Sequence, residues 1–283
     1  SMPPKKTGGK LPDDKIAILE EWVKMGAPMP SGGAAKLTGL TGKARDHWAF
    51  QPVKKPTVPE VKNRAWVKTP IDAFIMAKLE EKGLQPNPAA NPEAFLRRVS
   101  YDLIGLPPTS EQVDAFEKAI QAAQITDTMA LRSGKPAVAV EAIYAKQIDS
   151  LLASPHYGER WGRHWLDVVR FGESNGFERN LVIDDLYPFR DYVIRSFNDD
   201  KPYDQFLREQ LAGDELPAVT RDSLVATGFY RLGIWDDEPA DRELAYFDQL
   251  DDIVSTTGQT FLGTTIGCAR CHDHKIDPFP QKD

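Results

Sequence analysis

The chain has 283 residues with 41% hydrophobic content, six Trp and thirteen Phe, enough for an aromatic-rich core in one large domain or a domain with an appendage. Its net charge of −7, from 35 Lys and Arg against 42 Asp and Glu, argues against a nucleic-acid binder held by phosphate contacts. No run of about eighteen apolar residues occurs, so the sequence offers no membrane-spanning helix.

Residues 11–26 predict a short amphipathic helix. Asp13 and Asp14 suit its positive N-terminal end, while Ile16, Leu19, Trp22 and Val23 recur at helical spacing. Gly26 is a natural cap, Pro28 and Pro30 stop continuation, and a lone helix of this length needs a partner for its apolar face. Residues 31–46 have linker composition, and His47 beside them is expected at the surface. Helices are then predicted over 70–82, over 92–103 (closed by Gly105-Leu-Pro-Pro108), and onward from Ser110 as N-cap. Residues 121–138 lose the periodicity and read as a polar surface insertion. Pattern resumes over 141–152, 157–171, 187–197 and 203–211. The longest helix is expected over 242–265, with Phe247, Leu250, Val254, Thr257 and Phe261 on one face and Gly258 and Gly263 marking a kink. Strand-like alternation is nearly absent. The fold class is therefore mainly α, an irregular multi-helix domain with long Pro/Gly-rich loops.

The last helix runs into Cys268-Ala-Arg-Cys271-His272, which uses both cysteines of the chain. This is the spacing of c-type haem attachment: two thiols one turn apart can each add to a vinyl group, and the next residue places an imidazole as axial ligand. The same donors suit zinc, or a disulfide that would close only a tiny loop. The loop that follows is dense in donors. His272, His274 and Asp277 form a set suited to a divalent metal such as zinc, and the competing reading is that His274 and Asp277 fold the loop back through hydrogen bonds.

His164 lies one turn from Trp161 and one turn from Val168. It is expected to be a buried core histidine, with a distal haem ligand or third metal ligand as the functional alternative. His156 is expected to begin a helix. Arg160, Arg163, Asp167, Arg170, Glu173, Arg190, Asp191 and Arg195 suit a salt-bridge network joining helices, or anchors for haem propionates or an anionic sugar. Asp214-Glu215 is a carboxylate pair, but adjacent residues do not straddle a glycosidic bond. These residues leave open whether the domain is an enzyme.

Gly267-Cys-Ala-Arg-Cys-His-Asp-His-Lys-Ile-Asp-Pro278, with Gly105-Leu-Pro-Pro, Ser154-Pro-His-Tyr-Gly-Glu-Arg160 and Gln210-Leu-Ala-Gly-Asp214, resembles the planctomycete-type cytochrome proteins. These are large exported proteins with a cytochrome c-like domain, a second domain ending in Cys-x-x-Cys-His, and a further domain of unknown function. The resemblance implies that residues 1–30 are the tail of the first domain, where Met2 would match a distal haem ligand. It implies that 31–46 are a linker and 47–283 the second domain. The chain then reads as a piece of a larger protein whose flanking domains are its first partners. Ser1 reads as a tag scar, with a signal peptide removed and a periplasmic or extracellular location.

Two functions follow. The leading expectation is an exported domain associated with haem c, bound by Cys268, Cys271 and His272 with His164 as sixth ligand. It would serve electron transfer with a redox partner or form part of an oxidoreductase. The alternative is a haem-free, metal- or disulfide-stabilised module that binds or processes polysaccharide, and a purely structural connector is a third. No nucleic acid and no transmembrane segment is expected.

Overall fold

The computed structural model describes residues 12–25, 51–135, 137–275, 277 and 279–282. Met2, Gly26, Pro28, Pro30, the 31–46 linker and His47 lie outside the described residues. Among the described residues there are ten α-helices and no strand, so the mainly α class holds. No described helix is long and apolar enough to cross a membrane. The chain divides into two compact units, one of Ser1–Pro52 with His274–Asp283, the other Val53–Asp273.

In the first unit α1 spans Asp13–Lys24, with Asp13 and Asp14 in its first turn and Lys24 in its last, as its dipole favours.

The second unit contains α2 (Pro70–Glu81), α3 (Pro92–Ile104), α4 (Ser110–Arg132), α5 (Ala139–Leu152), α6 (Pro155–Val168), α7 (Tyr187–Asn198), α8 (Tyr203–Ala212), α9 (Arg221–Ala226) and α10 (Arg242–Thr257). Their starts are set by side chains that satisfy orphan N–H groups. Thr69 and Thr109 each close a capping box, with Asp72 and Gln112, and Asn91 caps α3 ahead of Pro92. The N-cap of α4 is therefore Thr109, one residue before the expected Ser110. The polar insertion expected at 121–138 is also corrected, because α4 continues to Arg132 and, at 23 residues, is longer than any other described helix. Its second half exposes Ile125, Met129 and Leu131 and buries only Ala123, so apolar periodicity fades while helix-forming Ala, Gln, Met and Leu carry the helix on. Asp127 on this extension accepts the Ala139 and Val140 N–H groups at 2.7 and 3.0 Å, and so starts α5.

Two hydrophobic clusters form the core. Leu96, Phe116 and Ile120 join α3 and α4, with Phe95, Ile143 and Tyr144 packed against them. The larger cluster, around Phe189, Tyr192, Val193, Phe206 and Phe229, gathers α6 to α9 and the 3₁₀ turn Thr227–Arg231. The helices α6 and α7 approach closely at Gly158, where a Cβ would overlap the Ile194 carbonyl oxygen. Asn198 clamps the same contact, accepting from the Gly158 N–H at 2.7 Å and donating to the Pro155 carbonyl at 3.2 Å. In α8, Gln210 is fully buried; its Oε1 accepts from Trp165 Nε1 at 2.9 Å and its Nε2 donates to the Phe206 carbonyl. The Ser154–Arg160 and Gln210–Asp214 motifs thus hold helices together.

Candidate functional site

The helix α10 does not reach residue 265 as expected. It ends at Thr257, widens into a π turn over Gly258–Leu262, and stops at Gly263 with φ +63°. The Thr264 N–H closes this reversal on the Gly258 carbonyl at 3.1 Å. The chain then doubles back as a 3₁₀ turn, Ile266–Arg270, against the side of α10 it has just left. Arg270, between the two cysteines, pairs with Asp248 and with Asp251 at 3.2 Å, both on α10. Close approach is allowed by Gly267, where a Cβ would press on Ser255 Oγ at 2.6 Å. The helix α10 is also tied to the core by Arg170, whose Nε donates to Asp252 Oδ2 at 2.7 Å while its guanidinium lies over the Phe229 ring. Arg170 keeps this reach at φ +55°, a conformation costly to a non-glycine residue.

Cys268 lies in this 3₁₀ turn and Cys271, three positions on, is the residue that ends it. Both are free thiols and both are exposed. His272 is exposed as well, and its Nδ1 is 2.8 Å from the Asp273 carbonyl oxygen. A carbonyl only accepts, so Nδ1 is the donor, and in the neutral ring this leaves the lone pair on Nε2, the arrangement usual for a metal-ligating imidazole. Next to this turn α10 exposes Phe247, Leu250 and Val254, at 54%, 39% and 52%. Each precedes by one position a residue that holds the turn (Asp248, Asp251, Ser255), which places it about 100° round the helix. Two exposed thiols three residues apart, the imidazole that follows them and a neighbouring apolar surface are a donor set that fits a thioether-bound haem.

Of the residues expected to bind a divalent ion, His272 is exposed, while His274 and Asp277 bond to each other. His274 Nδ1 accepts from the Asp277 N–H at 2.7 Å, so its proton sits on Nε2, which faces the Asp277 carboxylate at 3.6 Å. His274 also meets the Phe279 ring edge-on, and its N–H donates to the Phe279 carbonyl. These bonds fold the loop on itself, as the competing reading expected. Among the described residues no group of three or more His, Cys, Asp and Glu side chains could hold a metal ion.

His164 is not a core residue. It lies exposed on α6 between Trp161 and Val168, themselves 37% and 54% exposed, and its ring meets Trp161 edge-on at 5.5 Å. The stripe is real but faces outward. His156 begins α6 as expected, with Ser154 as the cap. The arginines pair largely within the fold: Arg190 with Glu173 and Asp191, Arg195 with Asp222, Arg170 with Asp252. Asp214 and Glu215 are exposed neighbours.

A buried charge went unseen in the sequence. Glu209 is 4% exposed and receives Tyr192 Oη at 2.7 Å, Lys201 Nζ at 2.5 Å and Gln205 Nε2 at 2.8 Å. Burial pushes its carboxyl up, but these donors, led by Lys201, outweigh burial and hold it below the ordinary range. Tyr192 is pushed well above its ordinary value by burial and by Glu209. The helical i,i+4 spacing of Gln205 and Glu209 was the one signal available.

Fold and motif together define a helical domain that presents a Cys-x-x-Cys-His turn folded back on its last long helix. The family model PSCyt2, described as a protein of unknown function (DUF1549), matches residues 70–283, and the chain belongs to this planctomycete-associated family. No curated protein and no solved structure matches.

Proposed function

We propose that this is an exported, periplasmic or extracellular domain of a larger protein that carries haem c on Cys268 and Cys271. His272 would be the axial ligand, and the domain would serve electron transfer or form part of an oxidoreductase. The reading rests on one observation above all: two exposed thiols lie three residues apart, one within and one at the end of a single 3₁₀ turn, and the next residue is an imidazole whose Nδ1 is engaged by the Asp273 carbonyl. When bound, the haem would supply one-electron redox chemistry. The chain's own residues do the positioning. Arg270 fixes the turn on α10, the Asp273 carbonyl fixes the His272 tautomer, and Phe247, Leu250 and Val254 offer apolar surface that keeps water from one side.

The test is expression with export and c-type maturation machinery, followed by acid–acetone extraction and an optical spectrum. A Soret band that stays with the protein, and is lost when Cys268 and Cys271 are both replaced by Ala, is the expected result. Protein matured in that way with no retained Soret band would overturn the proposal.

A further inference from the structure

A second region of the domain has features the haem reading does not use. Between α6, α7 and α8 lies a cleft of about 310 Å³, at the small end of the range for ligand pockets, about 300–1,000 Å³. Tyr157, Trp165, Tyr203 and Phe206 line it with aromatic surface, and Asp200 and Lys201 add the charged groups. The Trp165 ring is held by its bond to Gln210 and by edge contacts with Tyr203 and Phe206, so the wall is preformed.

Asp200 stands out by its backbone. The helix α7 ends in a Schellman closure, with the Lys201 N–H on the Ser196 carbonyl at 2.9 Å and the Asp200 N–H on the Phe197 carbonyl at 3.2 Å. Asp200 occupies the left-handed position of that closure, φ +47°, where glycine is the residue of least strain. Its carboxylate does not repay the strain locally, since among the described residues it has no hydrogen-bond or ion-pair partner. An unfavourable residue whose side chain does nothing for the fold points to a role outside it. Lys201, by contrast, is held in place by the fold: it donates to Glu209 and lies 4.5 Å above the Tyr192 ring, which uses one of its three donors.

From this geometry we infer that the cleft binds a saccharide, one pyranose ring lying against the aromatic wall and its hydroxyl groups donating to the Asp200 carboxylate. The ligand class follows from what the wall offers. A carboxylate accepts and an ammonium donates at adjacent positions, which suits hydroxyl groups that can do both. An organic cation would meet Lys201 and an anion would meet Asp200. A sugar ring also has an apolar C–H face for the aromatic side chains. The inference is independent of haem, and both can be tested on the same protein.

The probes are cellobiose, laminaribiose, lactose and chitobiose, titrated calorimetrically into the 283-residue chain, with choline as the cation control. At least one disaccharide is expected to bind while choline does not. Asp200→Gly should weaken that binding about tenfold or more, the loss of a charged hydrogen-bond acceptor. In the same variant Tm should hold or rise by about 2–4 °C, because the left-handed strain is released. Tyr203→Ala, at a 58% exposed position, should weaken binding without unfolding the domain. No binding by any of the disaccharides, binding of choline instead, unchanged affinity in Asp200→Gly, or a fall in its Tm would each overturn the inference. A fall in Tm would mean that the carboxylate supports the fold after all.

Discussion

Glu209→Gln isolates the buried charge at the heart of the larger core. The substitution keeps shape and one acceptor oxygen but removes the negative charge that faces Lys201 at 2.5 Å. Breaking a buried ion pair by removing one partner costs about 3–5 kcal/mol when the remaining charge is stranded. Lys201 is not wholly stranded here, since its side chain is 15% exposed and it keeps the Tyr192 ring, a contact of about 0.5–2 kcal/mol. The expected loss at pH 7 is therefore about 2–3 kcal/mol, or about 4–12 °C in Tm for a domain of this size. The pH dependence is diagnostic. The folded pKa of Glu209 is depressed below its ordinary 4.5, so its ionised form stabilises fully above that value. That contribution is lost as pH falls through the folded pKa, and the gap between wild type and variant should shrink below pH 4.5. Urea titrations at pH 7 and below 4.5 measure it. A variant as stable as wild type at pH 7, or a gap that persists undiminished in acid, would refute the reasoning.

Gly158→Ala should destabilise, because overpacking against the Ile194 carbonyl, about 1–3 kcal/mol, outweighs alanine's helix advantage of about 1 kcal/mol; a variant more stable than wild type in urea would show that α6 and α7 can part freely. Arg270→Ala should loosen the cysteine turn, seen as faster amide exchange over 266–271 with α10 unchanged, and unaltered exchange would show that Asp248 and Asp251 do not hold it. Replacing Asp127 by Ala should fray the start of α5, which depends on its carboxylate for two N–H groups; unchanged protection of Ala142 and Ile143 would contradict that.

The helices were legible where apolar spacing and capping residues coincide, as in α2 and α3. The second half of α4 was not, because its apolar residues point outward and only propensity marks it. His164 shows a different limit. Spacing tells that Trp161, His164 and Val168 share a face, but not whether that face finds a partner, and here it is exposed. The cysteine motif was visible as a string. Its folding back onto α10, through a π turn and the Arg270 ion pairs, depends on backbone geometry that two glycines only hinted at. Glu209 and Asp200 were out of reach for the same reason. The partners of Glu209 include Tyr192, on a different helix, and Asp200 is marked by a φ angle rather than by residue type.

The central claim is that Cys268, Cys271 and His272 hold haem. Intact-mass spectrometry of protein matured with the c-type machinery tests it most directly, with the double variant Cys268→Ala/Cys271→Ala and His272→Ala made alongside. The expected result is a covalent adduct of one haem on the wild type, lost when both cysteines are replaced, with an altered spectrum in His272→Ala. A wild-type mass equal to that of the bare polypeptide, under conditions that load a control cytochrome c, would contradict it.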